Sequence, residues 1–248
     1  MILDRVTMTG ADNSVSPGLL AELSQQYPYV EWGILVSPKR TGTPRFPDAV
    51  WMYSLQRLAE TTPMQLALHV CGNWVPYLLM GHVDFPASLL HGFQHVQLNF
   101  HGQEYPCQAL PFWQALSHAF PSKQIIFQID GQLGQRYLEL ALAQNRPGDP
   151  YLSSPVLDCV PLFDMSHGAG VLPAVWPKPI LPGYYHGYAG GLGPDTLPTA
   201  LPLIAAAAGE ARIWVDMETQ IRSEDDAVFN AIKVVQVLDF LAPHIHRL

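Results

Sequence analysis

Short strand-like runs alternate with helical stretches along this whole chain, and no other feature constrains its fold as tightly. Eight such runs can be counted. They are Arg5–Thr9, Val30–Val36, Leu66–Cys71, Val96–His101, Ile125–Asp130, Pro161–Met165, Tyr185–Ala189 and Ile213–Met217. Alternation of this kind is typical of parallel strands joined by helical crossovers. Eight units within 248 residues predict one α/β domain over residues 1–248, a (β/α)8 TIM barrel.

Helix signals fall between the predicted strands. Proline in a first turn predicts that helices open at Ser16-Pro17, Pro47 and Pro194-Asp195. Further helices are predicted at Leu110–Phe120, Gln135–Gln144 and Glu224–Leu241, the last with acids in its first turn. The segment Leu172–Pro182 carries four prolines, and we expect it to replace a regular sixth helix. With the long polar stretch Asn145–Val160, it predicts an irregular region around strand six.

Composition excludes several classes of protein. Hydrophobic residues make up 48% of the chain and charged residues only 14%, which indicates a large core. A net charge of −8 with no basic stripe argues against nucleic-acid binding. Three scattered cysteines without a CxxC pair indicate a reducing compartment. Asp4 and Arg5 interrupt any apolar leader, and no run is long enough to span a membrane, so we expect a cytoplasmic protein.

Five predicted strands alternate between an apolar face and a polar face. In strand three, Leu66, Leu68 and Val70 share one face, whereas His69 and Cys71 share the other. The polar face carries Gln97, Asn99 and His101 in strand four, and Gln128 and Asp130 in strand five. It carries Asp164 and Ser166 in strand six, and Asp216 and Glu218 in strand eight. Side chains alternate faces along a strand, so the polar sets point into a barrel lumen. Lumens are usually filled with Val, Ile and Leu. This pattern therefore predicts a wet, ligand-binding mouth, the alternative being an open sheet with one solvated face.

Two features near strands six and seven suggest chemistry. Asp164 ends a strand, where a carboxylate can transfer a proton to or from a substrate. Its alternative role is to cap the turn at Gly168. Gly190 and Gly191 precede a predicted helix, where backbone N–H groups can approach a phosphate. The alternative for this glycine pair is a tight turn without a ligand.

Two further groups have alternative interpretations. His69, Cys71 and His101 include residue types that bind zinc, but zinc sites usually show a clearer ligand set, so a polar lumen wall with a half-buried thiol is the preferred interpretation. Asp216 and Glu218 share one strand face and could bind a cation or orient a sugar hydroxyl. Their alternative role is a salt bridge, for which the candidate partners are Arg5, Arg212 and Arg222.

The strand ends resemble those of phosphoribosylanthranilate isomerases, a family of ribulose-phosphate-binding barrels. LFDMSHGAG (162–170) is similar to that family's strand ending in an acid, and GYAGGLGPDTL (187–197) is similar to its AGGL turn. WVDMETQIRSEDD (214–226) takes the place of the family's VDxSSGVE-type strand. VQLNFHG (96–102) takes the place of the family's VQLHG motif. The resemblance implies conversion of an aminoaldose phosphate to an aminoketose phosphate. It places the acid at Asp164 and the phosphate loop at Gly190 and Gly191.

The chain differs from that family at two motifs. The family's catalytic base is a cysteine in a KxCG motif, where this chain has Thr9 in TMTG. We therefore consider Cys71, His69 and Asp130 as bases. The phosphate-binding SSG turn is replaced by residues 218–220. Further substrate contacts are expected from Gly168, His101, Asn99, Asp216, Glu218 and Arg222.

These patterns predict a divergent isomerase of the aldose–ketose type, acting on a phosphorylated sugar or a related small metabolite by acid/base proton transfer. The alternatives are a metal-dependent barrel enzyme and a non-catalytic barrel that binds a metabolite. The expected partner is a small anionic or polar metabolite, with no nucleic acid, membrane, cofactor or metal. A homodimer is compatible with the sequence.

Overall fold

A computed structural model describes residues 1–82, 85–100, 104, 107–144, 157–164, 166, 170–180 and 183–246. Its eight strands form a closed parallel barrel in chain order, with β8 paired to β1. The strands are β1 (Ile2–Thr9), β2 (Val30–Val36), β3 (Gln65–Val70), β4 (His95–Leu98), β5 (Gln124–Ile129), β6 (Asp158–Asp164), β7 (His186–Ala189) and β8 (Arg212–Met217). The α/β class and all eight predicted strands are thus confirmed.

Helices alternate with these strands. Within the described residues they are α1 (Pro17–Gln26), α2 (Ala49–Ala59), α3 (Trp74–Leu79), α4 (Ala109–Ala119), α5 (Gln132–Gln144), α6 (Leu197–Ala208) and α7 (Ala231–Leu241). Residues 170–180, the longest described stretch between β6 and β7, contain no helix, as their prolines predict. None of the helices that the structure describes is both long enough and apolar enough to cross a bilayer.

Side-chain caps explain where the early helices begin. Ser16 lies one residue before Pro17, the first residue of α1. Its hydroxyl accepts a hydrogen bond from the Leu19 N–H at 3.2 Å. Asp48, rather than Pro47, caps α2 by accepting from the Trp51 N–H at 2.8 Å. Capping of this kind satisfies a backbone donor that has no partner within the helix.

Two predicted helix starts are wrong. Helix α6 begins at Leu197 rather than Pro194, after a turn in which the Thr196 N–H donates to Gly193 O at 3.2 Å. Helix α7 begins at Ala231 rather than Glu224. The acids before it are used locally instead: Asp225 accepts from the Ser223 hydroxyl at 2.6 Å, and Asp226 adopts φ 59°. Side-chain to backbone bonding of this type competes with helix formation.

The predicted division between apolar and polar faces is confirmed on the described parts of the strands. The apolar sets of β3, β4, β5, β6 and β8 lie in one core cluster with the helices. Inside the barrel, Trp214 packs with Ile126, Val160 and Leu162. Gly187 makes room for this ring, since a Cβ there would lie 2.6 Å from its Cζ2 atom. Trp214 therefore separates the two ends of the lumen.

Candidate functional site

A polar cavity of about 50 Å³ lies at the carboxyl ends of the strands. A larger outer cavity of about 430 Å³ shares four of its lining residues and opens outward between the loops. The shared residues are Asn99, Gln128, Asp164 and Glu218. Together they form the mouth that the polar strand faces predicted.

Asp164 is held rigidly at the end of β6. Its Oδ1 atom accepts from the Ser166 N–H at 3.1 Å and from the Ser166 hydroxyl at 2.7 Å. Its Oδ2 atom accepts from Gln128 Nε2 at 2.7 Å. The carboxyl group thus lines both cavities in a fixed orientation, as the sequence predicted for this acid.

Asp216 and His69 meet on the floor of the inner cavity. The Thr9 hydroxyl donates to Asp216 Oδ1 at 2.7 Å, and His69 Nε2 lies 4.0 Å from Asp216 Oδ2. His69 Nε2 is buried without a hydrogen-bond partner. The close approach of His69 and Thr9 to Asp216 depends on Gly33. A Cβ at Gly33 would lie 2.8 Å from His69 Nε2 and closer still to the Thr9 hydroxyl.

Burial disfavours the charged form of both groups of this pair. It raises the pKa of Asp216 well above its usual range, opposed by the Thr9 hydrogen bond and reinforced by the carboxylates of Glu218, Glu31 and Asp164. Burial also lowers the pKa of His69 to about 4. A neutral carboxyl group can donate a proton, and a neutral imidazole can accept one. The floor of the cavity therefore holds an acid beside a base.

The predicted glycine cradle lines the inner cavity, and the space where Cβ atoms would lie is filled by other loops. Gly190 and Gly191 have φ of 112° and 65°, so both need glycine. A Cβ on Gly191 would lie 2.9 Å from Val171 Cα and closer still to the backbone that follows. Gln220 stands against Gly193 and donates from Nε2 to Gly170 O at 2.9 Å. Backbone from the loop after β6 thus occupies the space beside Gly191.

A chain of ion pairs joins the loops around the mouth. Arg45 forms ion pairs with Glu218 and, at 2.7 Å, with Asp226. Arg222, which is fully buried, pairs with Asp12 and Asp226 at 2.8 Å each and donates to Gly10 O. Arg222 therefore links the loops that follow β1 and β8. Glu218 pairs with Arg45, and not with Arg5, Arg212 or Arg222 as the sequence suggested.

The other predicted site residues fall in different places. Cys71 lines only the outer cavity, and burial raises the pKa of its thiol to about 12, which leaves no thiolate at neutral pH. Asn99 lines both cavities and donates to Cys71 Sγ at 3.3 Å. Asp130 is buried at the end of β5 but lines neither cavity. His101 and Gly168 lie outside the described residues.

Metal ligands do not converge in the described part of the chain, where no three His, Cys, Asp or Glu side chains are grouped to hold an ion. Sequence reasoning missed Arg45 altogether, because nothing local distinguishes it from other loop arginines. It also treated Thr9 only as the residue that stands in place of the family's catalytic cysteine. Thr9 is instead the hydrogen-bond donor that orients Asp216.

No protein-family model matches this sequence, and no curated protein matches it either. The resemblance to phosphoribosylanthranilate isomerases therefore rests on the strand-end motifs alone and stays a prediction.

Proposed function

We propose that this protein is an isomerase of the aldose–ketose type, which moves a proton within a small hydroxy-carbonyl metabolite at the mouth of a (β/α)8 barrel. The observation that carries the proposal is the buried pair of Asp216 and His69, 4.0 Å apart on the cavity floor. An acid beside a base, with nearby Asp164 as a fixed acceptor, suits general acid–base catalysis. The resemblance to a sugar-phosphate isomerase family supports the same class of reaction.

The geometry fits transfer between neighbouring substrate atoms. His69 accepts the proton from C2 of an aldose while Asp216 gives its proton to the C1 oxygen, and an enediol forms. The imidazolium then returns its proton to C1, and the Asp216 carboxylate takes the proton of the C2 hydroxyl. A ketose results without any oxidant or reductant. Asp164, fixed by Gln128 and Ser166, accepts a hydrogen bond from a substrate hydroxyl.

Deuterium uptake tests this proposal. Protein in D2O is incubated with a panel of small aldoses, ketoses and their phosphates, and carbon-bound deuterium is measured by mass spectrometry. The intact protein should label at least one sugar, and Asp216→Asn or His69→Asn should each slow labelling by about 10²-fold or more. The rate should rise as pH passes about 4, where His69 loses its proton.

The matched controls are Asp195→Asn and His118→Asn, because both residues are exposed and neither lines the cavity. Neither should change the labelling rate. An unlabelled panel, or labelling that survives in both cavity variants, would contradict the proposal.

A second candidate is a non-catalytic barrel that binds a metabolite. The small inner volume of about 50 Å³ and the filled glycine cradle favour it. Binding of a sugar without any deuterium uptake would distinguish it from the isomerase.

A further inference from the structure

The buried polar atoms without partners at the mouth are all able to accept hydrogen bonds. Among the described residues that line the inner cavity, they are Gln97 Oε1, Gln128 Oε1 and His69 Nε2. The Gln128 amide is oriented by its bond to Asp164, and that of Gln97 by its bond to Asn99 Oδ1 at 2.9 Å. Buried acceptors without donors are costly, by about 1–3 kcal/mol each. They indicate a ligand that brings hydrogen-bond donors.

Charge at the inner cavity also disfavours an anion. Asp164 and Glu218 line it, whereas no arginine or lysine does so among the residues described. Arg45 faces the outer cavity, but Glu218 and Asp226 already neutralise it. A phosphate would therefore meet carboxylates without a free cation close by.

The glycine turn is also packed tightly against other loops, although Gly190 and Gly191 line the inner cavity. Val171 and the residue after it occupy the space beside Gly191, and Gln220 fills the space beside Gly193. The Thr196 hydroxyl bonds to Gly191 O at 2.7 Å and adds a further contact at this turn. Opening the cradle would break the bond between Gln220 and Gly170 O.

We infer that the site takes an uncharged, polyhydroxylated sugar rather than a sugar phosphate. As a statement about a substrate, this rests on the proposed isomerase function. The hydroxyl groups of such a sugar supply the donors that Gln97, Gln128 and His69 lack. Among the described residues that line the outer cavity, Arg40 is the arginine left for an anionic group. It is exposed, and its guanidinium is stacked 4.3 Å from the Phe46 ring centroid.

Calorimetric titration of the whole chain with D-ribose, D-ribulose, their 5-phosphates and inorganic phosphate tests the inference. The free sugars should bind about 10-fold more tightly than their phosphates or more. Gln128→Met, which removes an acceptor, should weaken free-sugar binding by about 10-fold. The matched control Gln25→Met, on the exposed face of α1, should leave it unchanged. Gln220→Gly should shift the preference towards the phosphates, because it opens the space beside Gly193.

Three results would overturn the inference. The first is tighter binding of the sugar phosphates than of the free sugars, above all if Arg40→Gln abolishes it. The second is that neither free sugar binds. The third is that Gln128→Met leaves free-sugar binding unchanged. Deuterium uptake separates this inference from the proposed function. Free sugars that bind preferentially without labelling would remove the isomerase and leave the ligand class standing. A sugar phosphate labelled faster than its free sugar would support the isomerase and contradict the inferred ligand class.

Discussion

The two ends of the barrel lumen, separated by Trp214, each bury a carboxyl group and shift its pKa in opposite directions. At the amino-terminal end, Glu31 is fully buried beside Arg5 and His95. At the carboxyl end, Asp216 is 5% exposed beside His69 and other carboxylates. Burial raises the pKa at both positions, so the partners decide the outcome.

The partners of Glu31 overcome its burial. Arg5, at 3.3 Å, and His95 lower the pKa of Glu31 to about 2, and the Thr7 hydroxyl donates to it at 2.8 Å. Asp216 has one donor, Thr9, and the nearby carboxylates act against its ionisation. The paired end is therefore suited to holding the barrel together, and the unpaired end to storing a proton for transfer.

The largest effect should come from breaking the paired end. Arg5→Met leaves Glu31 charged, buried and without its guanidinium, and we expect it to cost about 3–5 kcal/mol in the free energy of unfolding, measured in urea. The double variant Arg5→Met, Glu31→Met should recover most of this loss, because the charge is removed together with its partner. Arg57→Met, which breaks the exposed pair with Glu60, is the control and should change stability little.

A double variant as unstable as Arg5→Met alone would contradict this interpretation. The loss would then come from packing of the arginine, whose guanidinium lies 4.6 Å from the Trp214 ring centroid, and not from an unpaired charge.

A smaller loss of stability is expected from closing the space that brings the acid and base together. Gly33→Ala would place a Cβ against the Thr9 hydroxyl and 2.8 Å from His69 Nε2. We expect a loss of about 1–3 kcal/mol by overpacking, with deuterium uptake abolished. Gly18→Ala in α1 is the control, because its Cβ would meet only Ser16 Oγ at 3.9 Å. That variant should gain about 0.5–1 kcal/mol and label normally. Normal deuterium labelling by Gly33→Ala would show that proton transfer does not need the close approach of His69 to Asp216.

The strands and the polar mouth could be predicted because they depend on local pattern. Alternation along β3 and β8 places His69 and Asp216 on the lumen face whatever the rest of the chain does. The same reasoning located Asp164 correctly at the mouth. Residues that act through their own strand position are visible in a single sequence.

Contacts between distant segments could not be predicted in this way. The filled cradle depends on Val171 and Gln220 meeting Gly191 and Gly193 across two loops. The raised pKa of Asp216 depends on burial and on nearby carboxylates, most of them from other strands. The ion pairs of Arg45 join the loop after β2 to the loop after β8. Nothing in the local sequence of these residues specifies such partners.

No loss of stability, and the sharpest test of the comparison, is expected from Asp216→Asn. The folded pKa of Asp216 is raised, so its contribution is fully present below the unfolded value of about 3.9 and is lost as pH rises through the folded value. Asparagine cannot ionise, and its oxygen still accepts from Thr9. Thermal unfolding should therefore show equal stability near pH 4 and a variant at least as stable at neutral pH, while deuterium uptake is lost.

Glu31→Gln should show the opposite sign. Because its folded pKa is lowered to about 2, the contribution of Glu31 is present above the unfolded value of about 4.3 and disappears as pH falls towards 2. That variant should be less stable than the intact protein at neutral pH, with the difference shrinking in acid. If Asp216→Asn behaved in the same way, Asp216 would be an ionised structural carboxylate like Glu31. The two ends of the lumen would then not differ in charge, and the carboxyl end would hold no proton to transfer.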